Sequence, residues 1–259
     1  MRFASLGSGS RGNGALIASD GTLLLVDCGF TLSDVEKRLG RLRVDAAQIS
    51  AILVTHEHGD HASGVGPLAR RYRLPVWMTD GTRLGARCML GALPAIQVFS
   101  NHDGFEIGDV AVQPVAVPHD AREPSQFVFS DGAARVGLVT DTGSVTPHME
   151  RMLDGLQALM LEFNHDERML WDGPYPLQLK QRIASRYGHL SNIQAAALLT
   201  AIDTRGLQHF VAMHLSQQNN DPERVREAAS GALRCETDWI AIADQDAGLS
   251  WRESGSGMR

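Results

Sequence analysis

Four side chains that commonly bind divalent metals lie within six consecutive positions, one residue after the apolar segment 51–54. His56 and His58 are two residues apart, so an extended backbone would point both imidazoles the same way. Gly59 then permits a sharp turn. Imidazole and carboxylate ligands suit a borderline cation such as Zn²⁺. The pattern predicts a metal-binding loop rather than a polar loop with incidental histidines. Its four candidate ligands are His56, His58, Asp60 and His61.

Four further Asp and His residues each follow a strand-like segment elsewhere in the chain. A lone His at a strand end is more often a capped or core residue than a ligand, so each is weak evidence by itself. Their shared position at strand ends makes a common site worth testing. They are Asp27, His119, Asp141 and His214.

The segment Thr55–His61 (THEHGDH) resembles the HxHxDH signature of the metallo-β-lactamase superfamily. Asp27 before it and His119, Asp141 and His214 after it appear in the order which that family requires. The resemblance implies an α/β (α+β) fold, a four-layer αββα sandwich with two sheets face to face. It also implies that Asp141 bridges two metals and that Asp27 orients the His-rich loop without binding metal. One metal is then expected on His56, His58 and His119, and the other on Asp60, His61 and His214.

Two divalent ions sharing a water lower its pKa towards about 7, which supplies a hydroxide nucleophile near neutral pH. No GxSxG elbow is present, and no Ser or Cys nucleophile is needed. Asp60 is also a candidate to orient the hydroxide. His58 stands where the oxygen-reducing diiron relatives carry Glu, which favours hydrolysis over redox chemistry. Zn is the expected metal, and Mn and Fe stay open because selectivity depends on geometry and supply.

Glu162 and His189 resemble the paired Glu and His of the tRNA-processing branch of the same superfamily. The resemblance implies that His189 protonates the leaving oxygen and that Glu162 holds its ring. A leaving alkoxide needs such a proton, so the roles are chemically sensible. The alternative is that His189 merely precedes a helix cap and that Glu162 lies on a solvated loop.

Several segments together resemble the YycJ/WalJ group of bacterial metallo-β-lactamase-fold proteins, which is associated with exonuclease activity on DNA. They are SLGSGSRGN, EFNHD, YP..LK.RI, GHLSN and HLSQQNN. The chain departs from that group at Arg11 and Phe163, where small residues are common. Two interpretations are open for the Gly/Ser loop at residues 5–13: its backbone amides bind an anion, or the loop is a plain turn. Two are also open for Lys180 and Arg182 on the predicted helix: they contact phosphate, or they are simply solvated. Possible substrate contacts are Ser10, Asn13, Asn164, Lys180, Arg182, Ser216 and Asn219.

The elements that must position these residues are predicted from β-branched runs, capping residues and turn residues. We predict a single domain over residues 1–252 and a disordered tail over 253–259. Predicted strands are Phe3–Leu6, Ala15–Ala18, Leu23–Val26, Ala51–Thr55, Val76–Met78, Val110–Val117, Gln126–Phe129, Val136–Thr140, Ala158–Leu161, His209–Met213 and Trp239–Ile242. Predicted helices are Ser33–Leu42, His61–Tyr72, Thr82–Leu90, Pro147–Leu156, Pro176–Tyr187, Ser191–Ala201 and Pro222–Ala229. Capping boxes are expected at Ser33 with Glu36 and at Ser191 with Gln194.

Composition limits the functional classes. The 259 residues are 43% hydrophobic and carry a net charge of −6, which argues against non-specific attraction to polyphosphate but permits a local basic groove. The three cysteines show neither metal-ligand nor redox spacing and no disulfide framework. We also find no signal peptide and no long apolar run. These features favour a soluble cytoplasmic protein without a membrane partner. The leading hypothesis is a metal-dependent phosphodiesterase or nuclease acting on nucleic-acid ends. The alternatives are a hydrolase of a cyclic phosphodiester, thioester or lactone, and a non-catalytic binding module.

Overall fold

The computed structural model describes residues 1–255, which form two seven-stranded sheets. The first sheet has the order β14-β1-β2-β3-β4-β5-β6 and the second β13-β12-β11-β10-β9-β8-β7. The strands are β1 Arg2–Gly7, β2 Gly14–Ser19, β3 Thr22–Val26, β4 Ala51–Leu53, β5 Pro75–Met78, β6 Ala95–Val98, β7 Phe105–Ile107, β8 Val110–Ala116, β9 Ser125–Ser130, β10 Arg135–Val139, β11 Ala158–Glu162, β12 His209–Met213, β13 Ala241–Ile242 and β14 Leu249–Glu253. The α-helices are α1 Leu32–Arg41, α2 Gly59–Ala62, α3 Val65–Tyr72, α4 Asp80–Leu90, α5 Pro147–Leu153, α6 Glu167–Asp172, α7 Leu177–Ile183, α8 Asn192–Ala201 and α9 Pro222–Leu233.

Three apolar cores separate four layers. Successive residues of a strand face opposite sides, so Leu24 packs between the two sheets and Leu25 packs against the helices outside the first sheet. In the second sheet, Met160 lies in the central core and Leu161 in the outer core with α5, α8 and α9. Both faces of the central strands are therefore apolar. The predicted αββα sandwich is confirmed.

The central core gives a direct stability prediction. Leu24 is fully buried between the sheets, so Leu24→Ala should lower the free energy of unfolding by about 2–5 kcal/mol. Urea unfolding followed by circular dichroism measures the change. Leu84→Ala is the matched control, because Leu84 is 42% exposed and a surface substitution should cost less than about 0.5 kcal/mol. Equal losses in the two variants would contradict this assignment of the core.

Parallel strands in both sheets end at the same edge of the molecule. β3 and β4 are parallel with Val26 opposite Leu53, and β11 and β12 are parallel with Glu162 opposite Met213. The residues that follow these strands therefore meet in the crevice beyond their carboxyl ends, where ligands bind in many α/β proteins. This geometry brings the candidate site together.

Several predicted elements differ from the structure. Predicted helix 61–72 is two helices, α2 and α3, and α1 is capped by Thr31 rather than Ser33. The box with Glu36 is wrong, because the Glu36 carboxylate accepts a hydrogen bond from the Tyr72 hydroxyl. The capping box at Ser191 is confirmed. Three strands and one helix were not predicted, namely β6, β7, β14 and α6.

The predicted disordered tail begins too early. Glu253 ends β14, which pairs with β1, and the Ser254 amide donates to the Met1 carbonyl oxygen. Gly255 exchanges hydrogen bonds with the Gln208 side chain. Residues 253–255 are therefore ordered, and the remainder of the predicted tail, 256–259, lies outside the described residues. Among residues 1–255, no helix has the length and apolar character required to cross a bilayer.

Candidate metal centre and acid–base pair

Seven predicted ligands form two groups that share one carboxylate. In the first group, one ligand atom from each residue lies within 4.8 Å of the others, and the same holds for the second. Asp141 belongs to both groups, as expected for a bridging residue. The first group is His56, His58, His119 and Asp141, and the second is Asp60, His61, Asp141 and His214.

Asp27 fixes the rings of two of these histidines. Its Oδ2 accepts hydrogen bonds of 2.8 Å from His61 Nδ1 and from the Thr55 hydroxyl. The Thr55 oxygen in turn lies 2.9 Å from His56 Nδ1, which donates to it. Both Nδ1 atoms are thus occupied, and the Nε2 lone pairs of His56 and His61 face the centre. This is the outer hydrogen-bonding pattern that orients metal-bound histidines.

Asp27 and His214 adopt left-handed backbone conformations, with φ of 61° and 51°. Such conformations cost about 1–3 kcal/mol for residues other than glycine and concentrate at functional sites. Both residues follow directly after strands, so the unusual φ turns their side chains back towards the centre. Hydrogen bonds retain these conformations, including one from the His214 amide to the Ser8 hydroxyl at 2.9 Å.

The Asp27 network gives a second prediction. Asp27→Asn should weaken metal binding about 10- to 100-fold, because three donors converge on the two carboxylate oxygens and an amide offers only one acceptor. Asn tolerates the left-handed backbone, so backbone strain does not confuse the result. Titration calorimetry with Zn²⁺ measures the affinity. Asp20→Asn, at an exposed turn with φ of 41°, is the matched control, and equal effects in both variants would contradict the role of Asp27.

The donor set fits divalent cations. Three imidazole nitrogens converge, with His58 Nδ1 lying 3.0 Å from His56 Nε2 and 3.3 Å from His119 Nε2. Burial lowers the pKa of His56 well below its usual value, so its ring is neutral and its lone pair is available. Burial alone would raise the pKa of Asp141, but His214 and His61 hold it well below its usual value. An uncharged His56 imidazole beside an ionised Asp141 carboxylate supplies the nitrogen and oxygen ligands that a borderline divalent ion accepts.

His119 and the residue after it connect the first group to α7. His119 Nδ1 donates to the Gly188 carbonyl oxygen at 3.0 Å. Asp120 Oδ1 lies 3.7 Å from His58 Nε2, and its Oδ2 accepts a 2.6 Å hydrogen bond from Arg182 Nε. Sequence reasoning missed Asp120, although a charged residue directly after a candidate ligand was a usable signal.

Glu162 and His189 form a second polar pair beside the ligand groups. Glu162 Oε1 lies 2.7 Å from His189 Nδ1 and 3.2 Å from His214 Nδ1. Its Oε2 accepts hydrogen bonds of 3.1 Å from the amides of Thr142 and Leu190. Burial would lower the pKa of His189, but the Glu162 carboxylate raises it above its usual value. Glu162 is fully buried, so the alternative of a solvated loop is wrong, and His189 is suited to donate a proton.

A cleft of about 380 Å³ opens over both ligand groups and His189. Among the predicted substrate contacts, four line it: Ser10, Asn164, Arg182 and Ser216.

Three other predicted contacts do not line this cleft. Asn13 is buried with Nδ2 3.0 Å from His61 Nε2. Lys180 donates to the Trp171 carbonyl oxygen at 2.7 Å. Asn219 is fully buried, and its amide donates to the Ser216 hydroxyl. Three lining residues of the opposite wall were not predicted, namely Tyr175, Leu179 and Ile183.

Sequence comparison finds related proteins over most of the chain. Residues 22–215 match the model of the beta-lactamase superfamily domain. The exodeoxyribonuclease YycJ of Bacillus anthracis is 37% identical over 235 residues, which cover 90% of this chain and 89% of the relative. The exodeoxyribonuclease WalJ of Streptococcus pneumoniae is 33% identical over 257 residues, which cover 97% of this chain and 93% of the relative.

Comparison with solved structures shows the same fold. The metallo-beta-lactamase fold protein YhfI of Bacillus subtilis superposes with a TM-score of 0.76 over 98% of each chain at 18% identity. Zn²⁺-bound PqqB of Methylobacterium extorquens has a TM-score of 0.73 at 18% identity, over 98% of this chain and all of the other. At this identity the likeness supports the architecture only.

Proposed function

Because the chain belongs to the beta-lactamase superfamily and is a metal-dependent hydrolase, we propose that it cleaves phosphodiester bonds at the ends of DNA strands. The observation that carries the proposal is the His189–Glu162 pair, which opens onto the same cleft as the two ligand groups. Phosphodiester cleavage needs both an activated water and a proton for the leaving alkoxide. The names of the two relatives, both exodeoxyribonucleases, support DNA as the substrate.

We assign the ligand roles as follows. His56, His58 and His119 would hold one divalent ion, and Asp60, His61 and His214 would hold the other. Asp141, which belongs to both groups, would contribute a ligand to each. When bound, the ions supply an activated water and stabilise the negative charge that develops on the phosphoryl group. We propose zinc as the native metal, with manganese and iron as the alternatives that imidazole and carboxylate ligands also accept.

The chain's own residues complete the reaction. Asp60, whose Oδ2 lies 3.5 Å from His61 Nε2 and 3.8 Å from His214 Nε2, also accepts a hydrogen bond from the attacking water and so orients it. His189 transfers its proton to the leaving oxygen, and Glu162 holds the ring and stabilises the cation. Arg182, which is 60% exposed at the cleft, meets the phosphate from the solvent side.

The test uses metal-loaded protein with end-labelled single- and double-stranded DNA and with bis-p-nitrophenyl phosphate. Progressive shortening of DNA from its ends is the expected result. If all three substrates stay intact while metal is bound, the proposal is rejected. A hydrolase of a small cyclic phosphodiester is the second candidate, and the net charge of −6 favours it. The response to salt separates the two, because DNA binding weakens steeply as counterions are released, whereas a small ester should respond weakly.

A further inference from the structure

The cleft has two chemically different walls. One wall carries the ligand groups and polar side chains such as Ser10, Asn164 and Ser216. The other comes from Tyr175 and from α7, where Leu179 and Ile183 form an apolar surface beside the charged Arg182. The first wall suits a phosphodiester group and a water. The second offers an aromatic ring and two aliphatic side chains, which hydrolysis itself does not need.

Helix α7 is poorly covered by the rest of the chain. None of its residues is buried, and Leu177 at its start is 62% exposed. An apolar helix face without a protein partner loses the free energy that its burial would provide. Because Leu179 and Ile183 face the cleft, a ligand in the cleft is the group that would cover them.

The C-terminal end of α7 is joined to the catalytic loop. The His189 amide donates to the Ile183 carbonyl oxygen at 2.9 Å. Arg182 binds Asp120 at 2.6 Å, and Asp120 lies beside His58. The apolar wall is therefore held in a fixed position relative to the proton donor and the first ligand group. A ligand that packs against this wall would therefore have a fixed position relative to both His189 and the first ligand group.

We propose that this wall seats the base of the terminal nucleotide after it has left the helical stack. The inference rests on the proposed function and specifies its substrate: an end nucleotide that is unpaired and unstacked. Bases present a π-face to aromatic side chains whatever their identity, so such a wall is tolerant of sequence. A volume of about 380 Å³ lies within the range of sites for one small ligand. A paired end would have to fray first.

The experiment compares two single-stranded oligonucleotides that differ only at the end, one with a natural terminal nucleotide and one with a tetrahydrofuran abasic residue. Base–aromatic stacking contributes enough that wild-type kcat/KM should favour the natural end about fivefold or more. Tyr175→Ala and Leu179→Ala should bring this ratio close to one. Leu177→Ala is the matched control, with the same residue type on the same helix but outside the cleft, and should keep the wild-type ratio. A blunt duplex ending in G·C pairs should be cut more slowly than its separated strand.

The outcomes separate this inference from the proposed function. If wild-type protein cuts natural and abasic ends equally well, it is an exonuclease without a wall that seats the base. That result overturns the inference but leaves the proposed function intact. Protein that cuts neither end rejects the proposed function. A base preference that survives in Tyr175→Ala and Leu179→Ala also overturns the inference, because the preference then arises elsewhere. If either variant unfolds, Ile183→Ala, at a residue that lines the same wall, replaces it in the comparison.

Discussion

Replacing Asp141 with alanine should empty both ligand groups and abolish hydrolysis. Asp141 Oδ2 lies 3.3 Å from His61 Nε2 and 3.6 Å from His56 Nε2, so one carboxylate serves both groups. Its removal also leaves buried imidazoles without the anion that they face. The loss of metal affinity should exceed the 10- to 100-fold effect that removal of an outer hydrogen-bond partner typically causes. Elemental analysis and the hydrolysis rate, measured on the same sample, test this expectation.

His58→Ala sharpens the interpretation, because His58 belongs only to the first group. It should also abolish activity but retain metal in the second group, so the metal content should fall by one ion rather than two. Asp203→Ala is the control carboxylate, since Asp203 pairs with Arg205 away from the cleft. Should Asp141→Ala keep the full wild-type metal content, the shared-ligand assignment would be wrong.

The ligands were predictable because most of them lie close after strands whose apolar residues are obvious in the sequence, while Asp60 and His61 complete the motif that begins at His56. His119, Asp141 and His214 each follow such a strand by one to three positions, and the family signature supplied their order. The sheet topology then brings together residues that are far apart along the chain. Local sequence carries no signal for that convergence.

The features that the sequence does not reveal depend on long-range packing. Asn13 is polar and lies in a Gly/Ser loop, yet it supports His61 because β1 and β2 pack this loop beneath the ligands. β14 pairs with β1 from the opposite end of the chain, and such distant pairing cannot be read from a short window. Tyr175 and Leu179 look like ordinary helix-start residues. Only the position of α7 over the cleft reveals their surroundings.

His189→Ala should slow DNA cleavage about 10²- to 10⁴-fold, the usual contribution of a positioned proton donor, while leaving the metal content unchanged. The alternative is that His189 is itself a metal ligand. It belongs to a third group of residues that could hold a metal, with Asp141, Glu162 and His214. The 2.7 Å contact with buried Glu162 favours the acid role, since that carboxylate raises the pKa of the His189 ring. Elemental analysis of the variant distinguishes the two roles, and loss of metal would contradict ours.

Comparing two leaving groups tests the acid role of His189 without measuring metal content. The alkoxide that leaves from DNA must be protonated, whereas p-nitrophenolate is stable as an anion and leaves without a proton. His189→Ala should therefore reduce cleavage of DNA far more than cleavage of bis-p-nitrophenyl phosphate. Glu162→Gln should show the same selectivity with a smaller loss, because the amide still contacts the ring but no longer favours its cation. His102→Ala, on an exposed loop, should change neither rate, and equal losses on both esters in His189→Ala would show that His189 acts before or outside proton transfer.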